Sequence, residues 1–146
     1  MVNYRLGALG FLSDQSDLLP GNNALLDQNF AFKWVQKNIH AFNGDPDKVT
    51  IFGQSAGGGM VKFHALSPIS EVDNKKLFHH VISQSGQSMV YNPDPVASAR
   101  EFGNLTGCNF QQSANFFDCI QSLPVDTILN ASTGFPKINT LSSNFS

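Results

Sequence analysis

The fold is decided by the stretch Val49-Thr50-Ile51-Phe52-Gly53-Gln54-Ser55-Ala56-Gly57-Gly58. Its first four residues are β-branched or aromatic, and they predict a short strand that ends at Gly53. A helix is predicted to start at Ala56 and to run to about Leu66, where a Ser-Pro pair halts it. The stretch therefore predicts a strand that folds back into a helix through a very tight turn around Ser55.

The turn fits the pattern G-x-S-x-G of a nucleophile elbow, with Gly53 and Gly57 as its glycines. In such a turn the Ser55 hydroxyl projects above the sheet, and the backbone of the serine is strained. The two glycines are expected to remove side chains that would collide where the strand meets the helix. The backbone N–H of Ala56 lies at the helix N-terminus and is a candidate oxyanion donor. Ser55 is therefore the candidate nucleophile, and the alternative is a plain turn serine.

The elements around the motif predict an α/β arrangement. Residues 2 to 5 are β-prone and are interpreted as the end of a strand, while residues His79 to Ser83 predict a further strand. Between the first of these and the motif, a helix is predicted from about Ala24 to His40. It is supported by two rows of residues spaced by four, Leu26, Phe30, Trp34 and Ala31, Val35, Ile39. This order is typical of an α/β unit with parallel strands, and the pattern beyond Pro95 predicts a helical region after it.

Composition excludes several classes of protein. The chain has 146 residues, is 41% hydrophobic and 14% charged, and carries a net charge of -2, so one domain or a piece of one is expected. The absence of a basic patch argues against nucleic acid as a partner. The apolar runs are far shorter than the roughly 20 residues that cross a bilayer, and the first residues do not form a signal peptide. Two cysteines rule out a zinc ribbon, and we expect neither a metal nor a cofactor.

The chain resembles the type B carboxylesterase/cholinesterase family of α/β-hydrolases. The resemblance covers nearly the whole chain, strongly to Gly86 and more loosely afterwards. It is carried by Asn3-Tyr4-Arg5-Leu6-Gly7, Leu9-Gly10-Phe11-Leu12, Gly21-Asn22, Leu25-Leu26-Asp27-Gln28, Trp34-Val35-Gln36, Asn38-Ile39, Gly44-Asp45-Pro46, Val49-Thr50-Ile51-Phe52-Gly53, Ser55-Ala56-Gly57-Gly58 and Ser83-Gln84-Ser85-Gly86. The resemblance implies a partial α/β-hydrolase fold with a mostly parallel sheet. It also implies that Ser55 attacks a small-molecule carboxylic ester and that the N–H of Ala56 helps to hold the oxyanion.

Two positions depart from the family pattern. Gln54 stands where the family usually has Glu, which keeps hydrogen bonding but removes a negative charge. If Gln54 is a substrate-binding residue, a cationic choline ester loses one source of attraction. Asn43 stands where a Gly is more usual, and Asn tolerates the same turn geometry.

A serine nucleophile needs a general base and an acid that orients the base. The four histidines are His40, His64, His79 and His80. His64 follows Ser55 on the same helix by a distance of about 13 Å, so it cannot reach the hydroxyl. In the family the acid and the histidine lie well downstream of the elbow. We therefore expect residues 1–146 to be an interior piece of a type B carboxylesterase domain, truncated at both ends and inactive alone.

The resemblance also bears on Cys108 and Cys119, which correspond to the small disulfide loop of the family; the alternative is two buried free thiols. Three N-x-S/T sequons are candidate glycosylation sites, at Asn104, Asn130 and Asn144, although an Asn- and Ser-rich segment produces sequons by chance. Together these features favour a parent protein that is secreted or lies on the extracellular side of a membrane.

Three hypotheses for function follow. The first is a serine-type carboxylic-ester hydrolase. The second is a non-catalytic, cholinesterase-like adhesion or scaffold domain, against which the retention of Ser55 and both flanking glycines argues. The third is a truncated product without function. The sequence identifies neither the ester nor the oligomeric state.

Overall fold

The structure is a computed structural model that describes residues 1–86, 94–110 and 113–133. The chain divides into two compact units. One contains Met1–Asn3 and Leu25–Met89, and we call it the elbow unit because it holds Ser55. The other contains Tyr4–Ala24 and Val90–Ser146, and we call it the helical unit. Each unit is described by itself.

The elbow unit is built on two parallel strands. Strand β1 (Thr50–Gln54) pairs with β4 (His80–Gln84), and Ile51 lies opposite Val81 in their register. Helix α3 (Ala56–Leu66) follows β1 directly. The predicted parallel α/β arrangement is confirmed, with α3 at its predicted bounds and each strand displaced by one residue from its prediction.

Helix α2 (Asn23–Asn38) confirms the helix predicted upstream, and a 3-10 helix (Ile39–Phe42) extends it. Asn43 ends this segment with a φ of 58°, a left-handed conformation that asparagine adopts readily. One of the two rows that predicted the helix lies on its exposed side: Leu26, Phe30 and Trp34 are 47%, 73% and 50% exposed. The buried side of the helix instead includes amide side chains, and these contact other segments of the unit.

The strand predicted at residues 2–5 is wrong, because residues 1–6 have no regular secondary structure. A strand requires a neighbouring backbone for its hydrogen bonds, and in the described residues β1 and β4 pair only with each other. The chain turns at Gly7, whose φ is 57°, into the short helix α1 (Gly7–Phe11).

Sequence reasoning also missed a small hairpin after α3. Strands β2 (Glu71–Val72) and β3 (Lys75–Lys76) pair antiparallel around a two-residue turn. Both turn residues, Asp73 and Asn74, have positive φ, as a type I′ turn requires. A two-residue Asp-Asn turn was therefore the signal in the sequence for this hairpin.

The helical unit contains α1 and three longer helices, α4 (Pro95–Thr106), α5 (Ser113–Ser122) and α6 (Val125–Thr133). This confirms the helical region predicted beyond Pro95. Its buried apolar core is formed by Ala8, Leu12, Ala99, Phe102, Cys108, Phe116, Ile120 and Ile128. Asp94 caps the N-terminus of α4, and its side chain accepts a hydrogen bond from the N–H of Ala97. None of the helices in the described ranges is long and apolar enough to cross a membrane.

Candidate functional site

Ser55 lies between the last residue of β1 and the first residue of α3, and its backbone is strained. Its φ is 55° and its ψ is -118°, a conformation that residues with a side chain rarely adopt. Such a conformation costs on the order of 1–3 kcal/mol, so the surrounding structure must impose it. The residue is exposed, and the tight turn predicted at this position is confirmed.

Two backbone hydrogen bonds hold the turn. The N–H of Ser55 donates to the carbonyl oxygen of Gln84 at 2.9 Å, which continues the pairing of β1 with β4 beyond the strand end. The carbonyl oxygen of Ser55 accepts from the N–H of Gly59 at 3.0 Å, which begins the hydrogen bonding of α3. Because both bonds use the backbone, they fix the serine without using its hydroxyl.

The glycines around Ser55 have different roles. A Cβ on Gly53 would overlap the backbone of Gly57, so the expectation for Gly53 is supported. A Cβ on Gly57 would meet nothing within 4 Å, so the expected collision of its own side chain is wrong. The turn brings the backbone of Gly57 close to Gly53, and only Gly53 must then lack a side chain.

Sequence reasoning missed a second close contact, between Gly58 of α3 and Gly86 at the end of β4. A Cβ on Gly58 would lie 2.8 Å from the carbonyl oxygen of Gln84 and from the Cα of Gly86. The Ser83 hydroxyl donates to the carbonyl oxygen of Gly58 at 2.9 Å across the same contact. The start of α3 therefore packs backbone to backbone against the end of β4, the strand that pairs with β1, and the glycine that follows Gly57 was the signal for it.

The other elbow residues lie beside Ser55. Ala56 is the first residue of α3, and the first N–H groups of a helix have no acceptor inside the helix. Its N–H also lies at the positive end of the helix dipole, which favours a developing negative charge. Gln54 is the last residue of β1 and is exposed.

The structure does not bring a histidine to the serine. His64 is 1% exposed, and its Nε2 lies 2.9 Å from Oε1 of Gln28. Its burial lowers its pKa from 6.5 to about 4. His79 is exposed and its Nδ1 accepts the N–H of Val49, while His40 and His80 are exposed. In the described parts of the chain, no side chain is hydrogen-bonded to the hydroxyl of Ser55, and no cluster of residues suited to a metal ion is found.

The predicted sites in the helical unit fall as follows. Cys108 and Cys119 form a disulfide with 5.7 Å between their Cα atoms, so the expected bridge is present and the free-thiol alternative is not supported. Asn104 and Asn130 are exposed, on α4 and α6. The third sequon residue, Asn144, lies outside the described residues. In the second sequon Ser132 is buried and its hydroxyl donates to the carbonyl oxygen of Ile128 at 2.8 Å.

The fold and the strained serine define the class to which the chain belongs. A parallel strand pair joined through a serine turn and a helix is a partial α/β fold of the hydrolase type. Residues 1–146 match the model of the carboxylesterase family, and the chain belongs to that family.

Curated relatives agree with this assignment. The chain is 43% identical over 137 residues to esterase FE4 of Myzus persicae, a match that covers 92% of the chain and 24% of the relative. It is 40% identical over 149 residues to bile salt-activated lipase of Bos taurus, covering 96% and 24%. It is 42% identical over 136 residues to cholinesterase 1 of Branchiostoma lanceolatum, covering 88% and 37%. The chain thus spans about a quarter of the length of the first two relatives.

Proposed function

We propose that the protein containing this chain is a serine-type carboxylic-ester hydrolase in which Ser55 is the nucleophile. The observation that carries the proposal is the positive φ of Ser55 at the junction of β1 and α3. A strained serine is kept at a functional site when the strain presents its hydroxyl for reaction. Membership of the carboxylesterase family supports the same chemistry.

The mechanism follows from the geometry of the turn. The Ser55 oxygen forms a bond to the carbonyl carbon of the ester while a general base takes the hydroxyl proton. The carbonyl oxygen becomes negative, and the N–H of Ala56 donates a hydrogen bond to it. The alcohol then leaves with a proton, and water releases the acid from the acyl-serine.

The general base and its orienting acid come from elsewhere in the parent protein. His64 is 1% exposed and its Nε2 is hydrogen-bonded to Gln28, so it does not serve the exposed Ser55 as a base. His79 is engaged with the backbone of Val49. Residues 1–146 by themselves are therefore expected to have no ester turnover.

The substrate is a carboxylic ester, and neutral esters suit the site better than cationic ones. Gln54 adjoins the nucleophile and is exposed, but its amide carries no charge. A carboxylate at the same position would attract a quaternary ammonium group, whereas the amide offers only dipolar contacts.

An oxidising compartment is the proposed location of the parent protein. The Cys108–Cys119 disulfide is of a kind that persists in secreted proteins and on cell surfaces. The exposed side chains of Asn104 and Asn130 are available for glycosylation. A non-catalytic adhesion role is not favoured, because it gives no reason to retain a strained serine at the elbow.

A covalent label tests the nucleophile. The protein expressed from its complete transcript is treated with a fluorophosphonate and digested, and the labelled peptide is identified by mass spectrometry. We expect the label on Ser55, and we expect Ser55→Ala to abolish labelling and to lower ester turnover by several orders of magnitude.

Ser85 provides a matched control for this experiment. It also follows a strand of the parallel pair, it is exposed, and its φ is 50°. Ser85→Ala is expected to leave labelling intact. A label found on Ser85 in the unaltered protein would overturn the assignment of Ser55.

A further inference from the structure

His64 is a buried titratable group that the proposed mechanism does not use. It lies in the last turn of α3, the helix whose first residue follows Ser55. Its ring packs edge-on against Phe32 with 4.8 Å between the ring centroids, and its Nε2 is hydrogen-bonded to Gln28. Phe32 and Gln28 are four residues apart on α2 and therefore lie on the same face of that helix. This face contacts the imidazole ring through Phe32 and forms a hydrogen bond with it through Gln28.

The amide of Gln28 contacts α3 at two successive turns. Its Nε2 donates to the sulfur of Met60, and its Oε1 faces Nε2 of His64. Because Oε1 can only accept, the imidazole carries its proton on Nε2 in this arrangement. Met60 and His64 are four residues apart on α3, and both are buried. A single buried amide therefore fixes the rotation of α3 about its axis relative to α2.

The opposite side of α3 is fixed by backbone contacts. Gly58 packs against Gly86, and the Ser83 hydroxyl donates to the carbonyl oxygen of Gly58. These contacts act on the first turn of α3, whereas the contacts of His64 act on its last turn. The helix is thus held at both ends, on β4 at its start and on α2 at its end.

The direction of the Ser55 hydroxyl depends on this support. No described side chain bonds to the hydroxyl, and the backbone of Ser55 is continuous with α3 through Ala56. A small rotation of α3 therefore moves both the nucleophile and the N–H of Ala56. Misplacement by about 1 Å is enough to lower the rate of a reaction by about 100-fold.

We propose that His64 is a positioning residue for the ester-cleaving reaction: through its hydrogen bond to Gln28 it fixes α3 and thereby aims Ser55 and Ala56. His64 does not touch the substrate and does not exchange a proton with it. This role rests on the proposed function of Ser55. It adds that a contact about 13 Å along the helix from the serine controls the rate of the chemical step.

The test compares His64→Leu with His64→Gln in the protein expressed from its complete transcript. Leucine removes the donor, whereas the glutamine amide can still donate to Gln28. We expect His64→Leu to lower kcat and the rate of fluorophosphonate labelling of Ser55 about 10- to 100-fold, with KM changed less than about twofold. We expect His64→Gln to restore most of the lost rate. The shape of the pH profile of kcat is expected to be the same in all three proteins, because His64 is not the base.

Phe78→Leu is the matched control for a merely structural effect. Phe78 is buried and packs edge-on against the same Phe32, at 5.6 Å between ring centroids. Its side chain has no hydrogen-bonding group, so it cannot replace His64 as a donor to Gln28. It is expected to lower Tm as His64→Leu does while leaving the labelling rate within about threefold. If the two variants lose labelling rate in parallel with Tm, the positioning role is overturned.

A second variant links the effect to the hydrogen bond itself. Gln28→Leu removes the acceptor, so it is expected to slow labelling as His64→Leu does, and the double variant should be no slower than either single variant. Fold-changes that multiply in the double variant would contradict the proposal. If the unaltered protein is not labelled at Ser55, the proposed function fails. If it is labelled and His64→Leu is labelled equally fast, only the positioning role fails.

Discussion

At the scale of single residues, Ser55 and His64 illustrate opposite uses of strain and burial. Ser55 is exposed, and its cost is a backbone conformation imposed by the hydrogen bonds to Gln84 and Gly59. His64 is nearly inaccessible, and its cost is the exclusion of its charged form from the interior. The first cost is the basis for proposing Ser55 as the nucleophile, and the second makes the stability of the protein depend on pH.

Acid should destabilise the protein through His64. Burial lowers the pKa of His64 from 6.5 to about 4, so between these values the unfolded chain binds a proton that the folded chain does not. The free energy of unfolding therefore falls as pH decreases from about 6.5 to about 4, by on the order of 3 kcal/mol in total. Above about pH 6.5 the ring is neutral in both states, and it contributes no pH dependence.

Urea unfolding at several pH values measures this effect, and His64→Gln isolates it from the titration of carboxylates. Because glutamine does not titrate, the difference in the free energy of unfolding between the two proteins should grow in favour of the variant as pH falls below 6.5. A difference that is constant from pH 7 to pH 5 would show that His64 titrates normally.

At the scale of elements, three consecutive glycines stand at positions 57 to 59, and the contact between α3 and the end of β4 depends on Gly58. Gly58→Ala places a Cβ against the backbone of Gly86 and should lower the free energy of unfolding by about 1–3 kcal/mol. Gly57→Ala meets open space and lies inside a helix, so it should be neutral or stabilising by up to about 1 kcal/mol. Chemical denaturation of the two variants side by side checks this. Equal losses would contradict the close approach.

Elements whose signal is local could be predicted from the sequence. The β1–α3 junction was predictable because a β-branched run, a G-x-S-x-G turn and a Ser-Pro stop follow one another within one short stretch. The strand expected at residues 2–5 was not predictable, because a strand depends on a partner that no local pattern identifies. The burial of α2 was similarly hidden, since Gln28 and Gln36 face other segments while Leu26 and Phe30 are exposed.

In the candidate site, too, the features with a local signal in the sequence were predictable and the long-range contacts were not. The positions of Ser55 and Ala56 follow from the motif, because they depend on the backbone of one turn. Gly58 contacts Gly86, and His64 is hydrogen-bonded to Gln28; these partners are 28 and 36 residues away in sequence. Only the folded structure brings these pairs together, so spacing along the chain could not reveal them.

At the scale of the whole molecule, one covalent link is present among the described residues. The disulfide joins Cys108, just after α4, to Cys119 in α5, within the core of the helical unit. Removing it by Cys108→Ser with Cys119→Ser should lower the free energy of unfolding by about 3 kcal/mol, the chain-entropy cost of a loop of this length. Urea unfolding of the variant and of the oxidised protein measures the loss.

The oxidation state of Cys108 and Cys119 is the accompanying control. Intact-mass analysis with a thiol-alkylating reagent should find both cysteines unavailable for alkylation. Two alkylated cysteines in protein isolated without a reductant would contradict both the bridge and the proposed compartment.

The exposed row on α2 gives the molecule a built-in optical probe. Trp34 is the one tryptophan of the chain, it is half-exposed, and its ring lies 6.1 Å from the ring of Phe42. Intrinsic tryptophan fluorescence therefore originates from a single helix face, the exposed side of α2, whereas the amide of Gln28 that contacts α3 is buried. Its emission wavelength reports the polarity at that face alone, so any chain segment or protein that covers this face would shift the emission to the blue.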